Sequence, residues 1–167
     1  VAASGQKRVL IFIVAYNAEK TITSVLSRIP VRDLPAGTEV LVIDDCSADR
    51  TFEVAGKNRG AIAGMSLTVL FNPVNQGYGG NQKLGYRLAV DGGYEFVILP
   101  HGDGQYAPAP LSPFIETWRR EHPDVVLGSR IAEPGGARAG GMPFYKLAGN
   151  RILTTIQNSL TGLGLSE

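Results

Sequence analysis

Short, uninterrupted apolar runs alternate along this chain with segments in which apolar residues recur every three or four positions. Arg8 to Ala15 is apolar and β-branched after its first residue, the pattern of a strand covered on both faces. Asn17 is placed to cap a following helix in which Ile22, Val25, Leu26 and Ile29 recur at i, i+3, i+4 and i+7 before Pro30 stops it. Glu39 to Ile43 reads as a second buried strand, ending in Asp44-Asp45. Ser47 then caps a weaker helix running to about Arg59, with Asp49 near its positive N-terminal end. Ser66 to Phe71 predicts a third strand, Gly80 to Val90 a helix with Leu84 and Leu88 inward, and Glu95 to Leu99 a fourth strand. Pro110 opens a helix carrying Phe114, Ile115 and Trp118, and Val125 to Gly128 predicts a fifth strand. A last helix ends near Leu163, with Ile152, Ile156 and Leu160 as its core stripe. Such alternation predicts an α/β fold of three layers, α/β/α, around a mostly parallel central sheet.

Composition narrows this reading in a few respects. At 167 residues, 44% apolar and 19% charged, the chain suits one well-buried domain spanning 1–167. A formal charge of +1 gives no basis for binding nucleic acid. The apolar run Val9 to Ala15 falls well short of the roughly 18 residues that span a bilayer, and no cleavage-site pattern follows it. Cys46 is the only cysteine, so no internal disulfide forms and a reducing, cytoplasmic setting is expected. The 21 glycines cluster at 77–85, 102–104 and 135–141, as loops between periodic segments do.

Ligands of an open α/β sheet bind beyond the carboxyl ends of its strands. Ala15-Tyr16-Asn17, Asp44-Asp45, Asn75-Gln76-Gly77, His101 to Gln105 and Ser129-Arg130 all follow predicted strands. Taken singly, Asn17 and Ser47 are equally well read as plain helix caps; their convergence with three other clusters on one edge favours a site. Adjacent carboxylates such as Asp44 and Asp45 repel unless a donor, a metal or a helix N-terminus is near. In His101-Gly102-Asp103-Gly104-Gln105 a carboxylate sits between glycines that admit a ligand close to the backbone, which suits Mg²⁺ or Mn²⁺. His101 stands where a second carboxylate is usual, and three readings of it stay open: a metal ligand favouring Mn²⁺, a neutral donor to a phosphate, or a polar residue at a strand end. His122 reads as a solvated residue at a helix C-terminus. No Gly-x-Gly-x-x-Gly turn follows the first strand, which argues against a dinucleotide-dependent oxidoreductase.

Val14-Ala15-Tyr16-Asn17-Ala18-Glu19, the Val42 to Thr51 stretch Val-Ile-Asp-Asp-Cys-Ser-Ala-Asp-Arg-Thr, and Asn75-Gln76-Gly77-Tyr78-Gly79-Gly80 together resemble the family 2 glycosyltransferases. These are inverting enzymes of the GT-A fold, among them the dolichyl- and polyprenyl-phosphate sugar synthases. His101 to Gln105 with Tyr106-Ala107-Pro108 is similar to that family's Asp-any-Asp metal motif. Gly128-Ser129-Arg130 and the stretch from Gly141-Met142-Pro143 to Asn150-Arg151 resemble its later segments.

The resemblance implies a nucleotide-sugar donor, with UDP or GDP as the nucleotide, a Mg²⁺ or Mn²⁺ cofactor, and a lipid-phosphate or glycan acceptor met at the cytoplasmic face of a membrane. By the same resemblance, Ala15, Tyr16 and Asn17 lie near the base, and Asp44 accepts from base or ribose with Asp45 supporting it. Asn75, Gly77 and Gly102 complete the nucleotide site. Asp103, Gln105 and His101 hold the metal, and Arg130 and Lys146 face the phosphates. Glu167 matches the acidic position that serves as general base, and the acceptor-side part that normally follows it in the family is expected to be missing. Four positions depart from the family pattern: Val14 stands for a common proline, Ala18 for a glutamate, Cys46 for a small residue such as glycine, and His101 for the first aspartate of the metal motif. A nucleotide-sugar binding module without turnover is the alternative these departures leave.

Overall fold

A computed structural model describes residues 8–60, 62, 64–102, 111–128 and 143–165. They fall into two compact units, 1–122 and 123–167. The first holds a four-stranded, all-parallel sheet in the order β3-β2-β1-β4. Its strands are β1 (Val9–Ala15), β2 (Glu39–Asp44), β3 (Ser66–Phe71) and β4 (Phe96–Ile98). Between and after them run α1 (Ile22–Ser27), α2 (Thr51–Lys57), α3 (Gly77–Asp91) and α4 (Leu111–Glu121).

Every residue of β1 is buried, as a central strand flanked on both sides and covered on both faces requires. Its side chains divide by parity. Val9, Ile11, Ile13 and Ala15 join Ile22, Val25 and Leu26 of α1 and Ile115 and Trp118 of α4 in one core layer. Leu10, Phe12 and Val14 join Leu41, Ile43 and Ala89 of α3 in the other. The sheet thus lies between two helical layers, as the apolar runs predict. Trp118 stacks on Phe96 with centroids 4.7 Å apart, tying α4 to the β4 side of the sheet.

Helix α3 presents a different face from the expected one. Leu84 and Leu88 are 42% and 43% exposed, whereas Asn81, Gly85 and Ala89 are buried. The reason is the Phe12 ring on β1: a Cβ built on Gly85 would lie 2.1 Å from two of its ring carbons. Only a glycine at 85 lets the helix come that close, so the face carrying 81, 85 and 89 turns inward and the leucines turn out.

Other expectations are corrected locally. Helix α1 begins after Thr21, and Asn17, expected as its cap, has a left-handed φ of 49° and bonds to a different loop. Helix α2 begins at Thr51, and its first amide donates to Asp49 Oδ1 at 3.0 Å, so Asp49 serves its end and Ser47 does not. Strand β4 spans Phe96–Ile98, shorter than expected. Val125 to Gly128 forms no strand; Val125 and Leu127 are exposed, and this β-branched run has no pairing partner among the described residues. His122 is exposed at the end of α4 with φ 47°, its amide donating to Trp118 O at 2.9 Å; this left-handed cap agrees with a solvated helix terminus.

In the second unit α5 (Phe144–Thr161) ends on Gly162, whose φ of 70° makes a left-handed C-cap. Ile152, Ile156 and Leu160, expected as a core stripe, are exposed, and α5 buries no residue. Their spacing selects one face of a helix without deciding what that face meets. Among the described residues no helix is long and apolar enough to cross a membrane.

Candidate functional site

Parallel registry brings the strand ends abreast. Ala15 pairs with Asp44 and Asp44 with Phe71, while His101 bridges to Val14 just beyond β4. The chain reverses its direction of build between β1 and β4: β2 and β3 are added on one side of β1, and β4 on the other. Beyond such a switch point the loops diverge and leave a crevice. Here it is a cleft of about 490 Å³ whose described walls include Ala15, Tyr16, Asp45, Asn75, Tyr78, Asn81 and His101, within the range of small-ligand pockets.

The β4 side of the cleft comes very near the backbone of β1. Gly102 donates its amide to Val14 O at 3.0 Å and accepts the Thr21 hydroxyl at 2.7 Å. A Cβ there would lie 2.8 Å from Val14 O, so only glycine fits without a backbone shift. Beside it the Tyr78 hydroxyl is 3.2 Å from His101 Nε2, and the two rings stack with centroids 5.2 Å apart.

The opposite side is a network of polar loops. Asp45 Oδ1 accepts from Asn72 Nδ2 at 2.8 Å and from the Gln76 amide at 2.9 Å, while Asn75 Nδ2 donates to the Asp45 carbonyl. Asn75 Oδ1 accepts the Gly77 amide at 2.9 Å, and Gly77, with φ 70°, turns the chain into α3. These bonds pin the β3–α3 loop to the end of β2.

Asp44 lies one residue earlier and is only 1% exposed. Its Oδ1 accepts both the amide and the hydroxyl of Ser47, while Oδ2 has no donor among the described residues. Burial pushes the Asp44 carboxyl up, against the lowering effect of the Ser47 donors. Farther out, Asn17 and Ser47 knit two loops: the Asn17 amide donates to Ser47 Oγ at 2.8 Å, and the Ala48 amide donates to Asn17 Oδ1 at 3.1 Å. Glu19, held by the Arg50 guanidinium at 2.6 Å, has its carboxyl lowered chiefly by that bond.

Of the residues singled out in the sequence, Ala15, Tyr16, Asp45, Asn75, Gly77, His101 and Gly102 all line this one cleft. Asp44 and Asn17 brace its loops. Lys146 belongs to the second unit, exposed in the first turn of α5. Asp103, Gln105, Arg130 and Glu167 lie outside the described residues. Asn81 is a wall residue that the sequence pattern did not disclose; a lone amide in line with Gly85 and Ala89 on a helix was its one signal. The described walls carry no lysine or arginine. Their stock is aromatic faces, amides and a carboxylate, which suits a flat, neutral heterocycle and its hydroxylated sugar better than a phosphate. Among the described residues no group of three His, Cys, Asp or Glu side chains makes a metal cage; of the residues expected to hold a metal, His101 alone is described.

A parallel α/β/α sandwich with its cleft at the β1/β4 switch point is the architecture of GT-A sugar transferases. Its overlay on TarS 1–349 of Staphylococcus aureus in complex with UDP agrees, with a TM-score of 0.57 and 26% identity, covering 77% of this chain and 40% of that one. Residues 10–160 match the family model described as Glycosyl transferase family 2, and the chain belongs to that family of glycosyltransferases. Similar proteins include the undecaprenyl-phosphate mannosyltransferase of Micrococcus luteus, 34% identical over 129 residues. Another is the UDP-N-acetylglucosamine–dolichyl-phosphate N-acetylglucosaminyltransferase of Methanococcus voltae, 26% identical over 171 residues. The first alignment covers 77% of this chain and 50% of the relative, the second 96% and 66%.

Proposed function

We propose that the cleft binds the nucleotide of a nucleotide-diphosphate sugar, and that the protein transfers the sugar with inversion to an acceptor such as polyprenyl phosphate or a polysaccharide precursor. The observation that carries this reading is the gathering of Tyr16, Asp45, Asn75, Gly77, His101 and Gly102, from three loops and a strand end far apart in sequence, around one cleft at the switch point. Ala15, Tyr16 and Asn17 take the base side. Asp45 lines the cleft, and buried Asp44 holds the Ser47 loop behind it. Arg130 and Lys146 are the basic positions that the family resemblance assigns to the phosphates. Where the relatives' names specify a prenyl phosphate, the corresponding acceptor here is a lipid phosphate at the cytoplasmic face of a membrane.

The acceptor oxygen attacks the anomeric carbon from the side opposite the diphosphate. The new C–O bond forms as the old one breaks, and the nucleoside diphosphate leaves with the bonding pair. A hydroxyl acceptor gives up its proton to Glu167, whereas a lipid phosphate is already ionised. A divalent metal held by Asp103, Gln105 and His101 would supply charge compensation for the departing diphosphate.

A thermal-shift screen of UDP- and GDP-sugars, with and without Mn²⁺, tests this reading. The expected result is a nucleotide-dependent rise in Tm that is larger with Mn²⁺, with the metal-dependent part lost in Asp103→Ala. No shift with any nucleotide would refute it. Binding without sugar release from any donor would instead identify a binding module without turnover.

A further inference from the structure

We infer that Asn81 is a donor-site residue whose side-chain carbonyl accepts a hydrogen bond from the nucleoside half of the bound nucleotide, either from the base's ring N–H or from a ribose hydroxyl. This rests on the donor-site reading above and adds to it a residue and a polarity.

Asn81 is 1% exposed, on the buried face of α3, and it is also part of the cleft wall. Its Nδ2 donates to Ile43 O at 3.0 Å. That bond fixes the amide's orientation, because a backbone carbonyl only accepts. The oxygen is therefore turned elsewhere, and it meets no donor among the described residues. A buried carbonyl without a partner opposes folding. Packing does not call for it: one and two turns on, the same face is served by Gly85 and Ala89. A small apolar residue at 81 would leave no orphan oxygen and would give up only the bond to Ile43 O, which uses the nitrogen end alone. The bond to Ile43 accounts for the nitrogen of the amide, and a ligand accounts for its oxygen.

Its polarity limits what that ligand group is. A carbonyl oxygen attracts N–H or O–H and repels phosphate oxygens. With Asp45 and Asn75 also on the described walls and no lysine or arginine among them, this part of the cleft suits the nucleoside, and the diphosphate lies farther out.

The test is a binding cycle by titration calorimetry with whichever of UDP and GDP binds the wild-type protein. The ligand arms are the parent nucleotide, its ring-N-methyl form (N3 of uracil or N1 of guanine), and its 2′-deoxy and 3′-deoxy forms. In wild type, one of these modifications should weaken binding about five- to tenfold. Asn81→Ala should bind the parent nucleotide weaker by a similar factor, and that same modification should then cost nothing further. The arm that shows this coupling tells base from ribose. Equal penalties in wild type and variant, or no penalty in any arm, would overturn the inference while leaving nucleotide binding intact. Absence of nucleotide binding to wild type would overturn both it and the donor-site reading. Should Asn81→Ala fail to fold, Asn81→Ser supplies the same cycle with a shortened side chain.

Discussion

Gly85→Ala sets two effects of opposite sign against each other. In an open helix interior the replacement stabilises by about 1 kcal/mol, because alanine loses less backbone freedom on folding. At this position the new methyl would sit 2.1 Å from Cε1 and Cζ of Phe12, far inside the roughly 3.5–4.0 Å at which carbon atoms attract. Phe12 is fully buried in the central strand and meets Tyr86 edge-on at 6.3 Å, so its ring has little room to yield. Relief requires either a new Phe12 rotamer or an outward shift of α3, which would also stretch the Asn81–Ile43 bond. Overpacking costs about 1–3 kcal/mol; a 2.1 Å approach to a ring that cannot yield belongs at the upper end, and the net expectation is a loss of about 2 kcal/mol. Gly79, in the same helix with nothing within 4 Å of its added Cβ, is the control: Gly79→Ala should gain about 0.5–1 kcal/mol. Urea denaturation followed by far-UV circular dichroism measures both. The double variant Phe12→Leu/Gly85→Ala should show favourable coupling, since removing the ring removes the obstruction. If Gly85→Ala is as stable as wild type, the close approach of α3 to β1 is wrong, and with it the account of why the leucines face outward.

Two further outcomes follow from the loops after β2. Asp44 has its carboxyl raised by burial, so the folded state holds that proton more tightly than the unfolded chain; its contribution is complete below the ordinary Asp value of about 3.9 and is lost as pH rises through the raised value. The stability of Asp44→Asn relative to wild type should therefore climb across that window and level off above it, and a difference that is flat in a pH series of urea titrations would contradict the burial argument. Cys46 adopts φ 61°, and its thiol makes a long 3.7 Å contact to Pro73 O. Cys46→Gly should stabilise by about 0.5–1 kcal/mol once the flexibility of unfolded glycine offsets part of the relieved strain, while Cys46→Val should destabilise by more than about 1 kcal/mol; a reversed order by thermal denaturation would show that the thiol contact outweighs the backbone.

Those sequence features that depend on neighbours along the chain were legible, and those that depend on distant partners were not. The runs forming β1 and β2 announce themselves because a strand buried on both faces has no polar alternation to hide it, and β3 by the alternation of an edge strand, with Leu67 and Val69 buried and Ser66 and Thr68 exposed. Tyr16, Asp45, Asn75, Gly77, His101 and Gly102 were readable as site residues because each follows a strand, and parallel strands end on one edge. For α3 the spacing allowed two inward faces, and hydrophobicity favoured Leu84 and Leu88; the deciding quantity was the room left by Phe12, which no local pattern carries. Asn17 and Ser47 looked like caps because their residue types suit caps, yet Asn17 bonds to the loop at Ser47 and Ala48, 30 and 31 positions on, and Ser47 turns its amide and hydroxyl back to Asp44. Asn81 escaped notice for the same reason: its role depends on Ile43, 38 residues earlier. Val125 to Gly128 had the composition of a strand, and among the described residues no strand pairs with it.

The placement of β4 beside β1 also bears on how the protein comes into being. The three strands β1, β2 and β3 are contiguous in sequence order and can pair as they emerge, whereas the β4 wall of the cleft closes through contacts such as Thr21 to Gly102, 81 residues apart. Closing so long a loop is slow relative to local pairing. A chain still growing through α3 would already carry Tyr16, Asp45 and Asn75 at the sheet edge, but it would have only one side of a binding site. Nucleotide would thus find its cleft only after the turn beyond β4 has docked, and ligand added to a refolding reaction should act on the last step of assembly and leave the first three strands to form at their own rate.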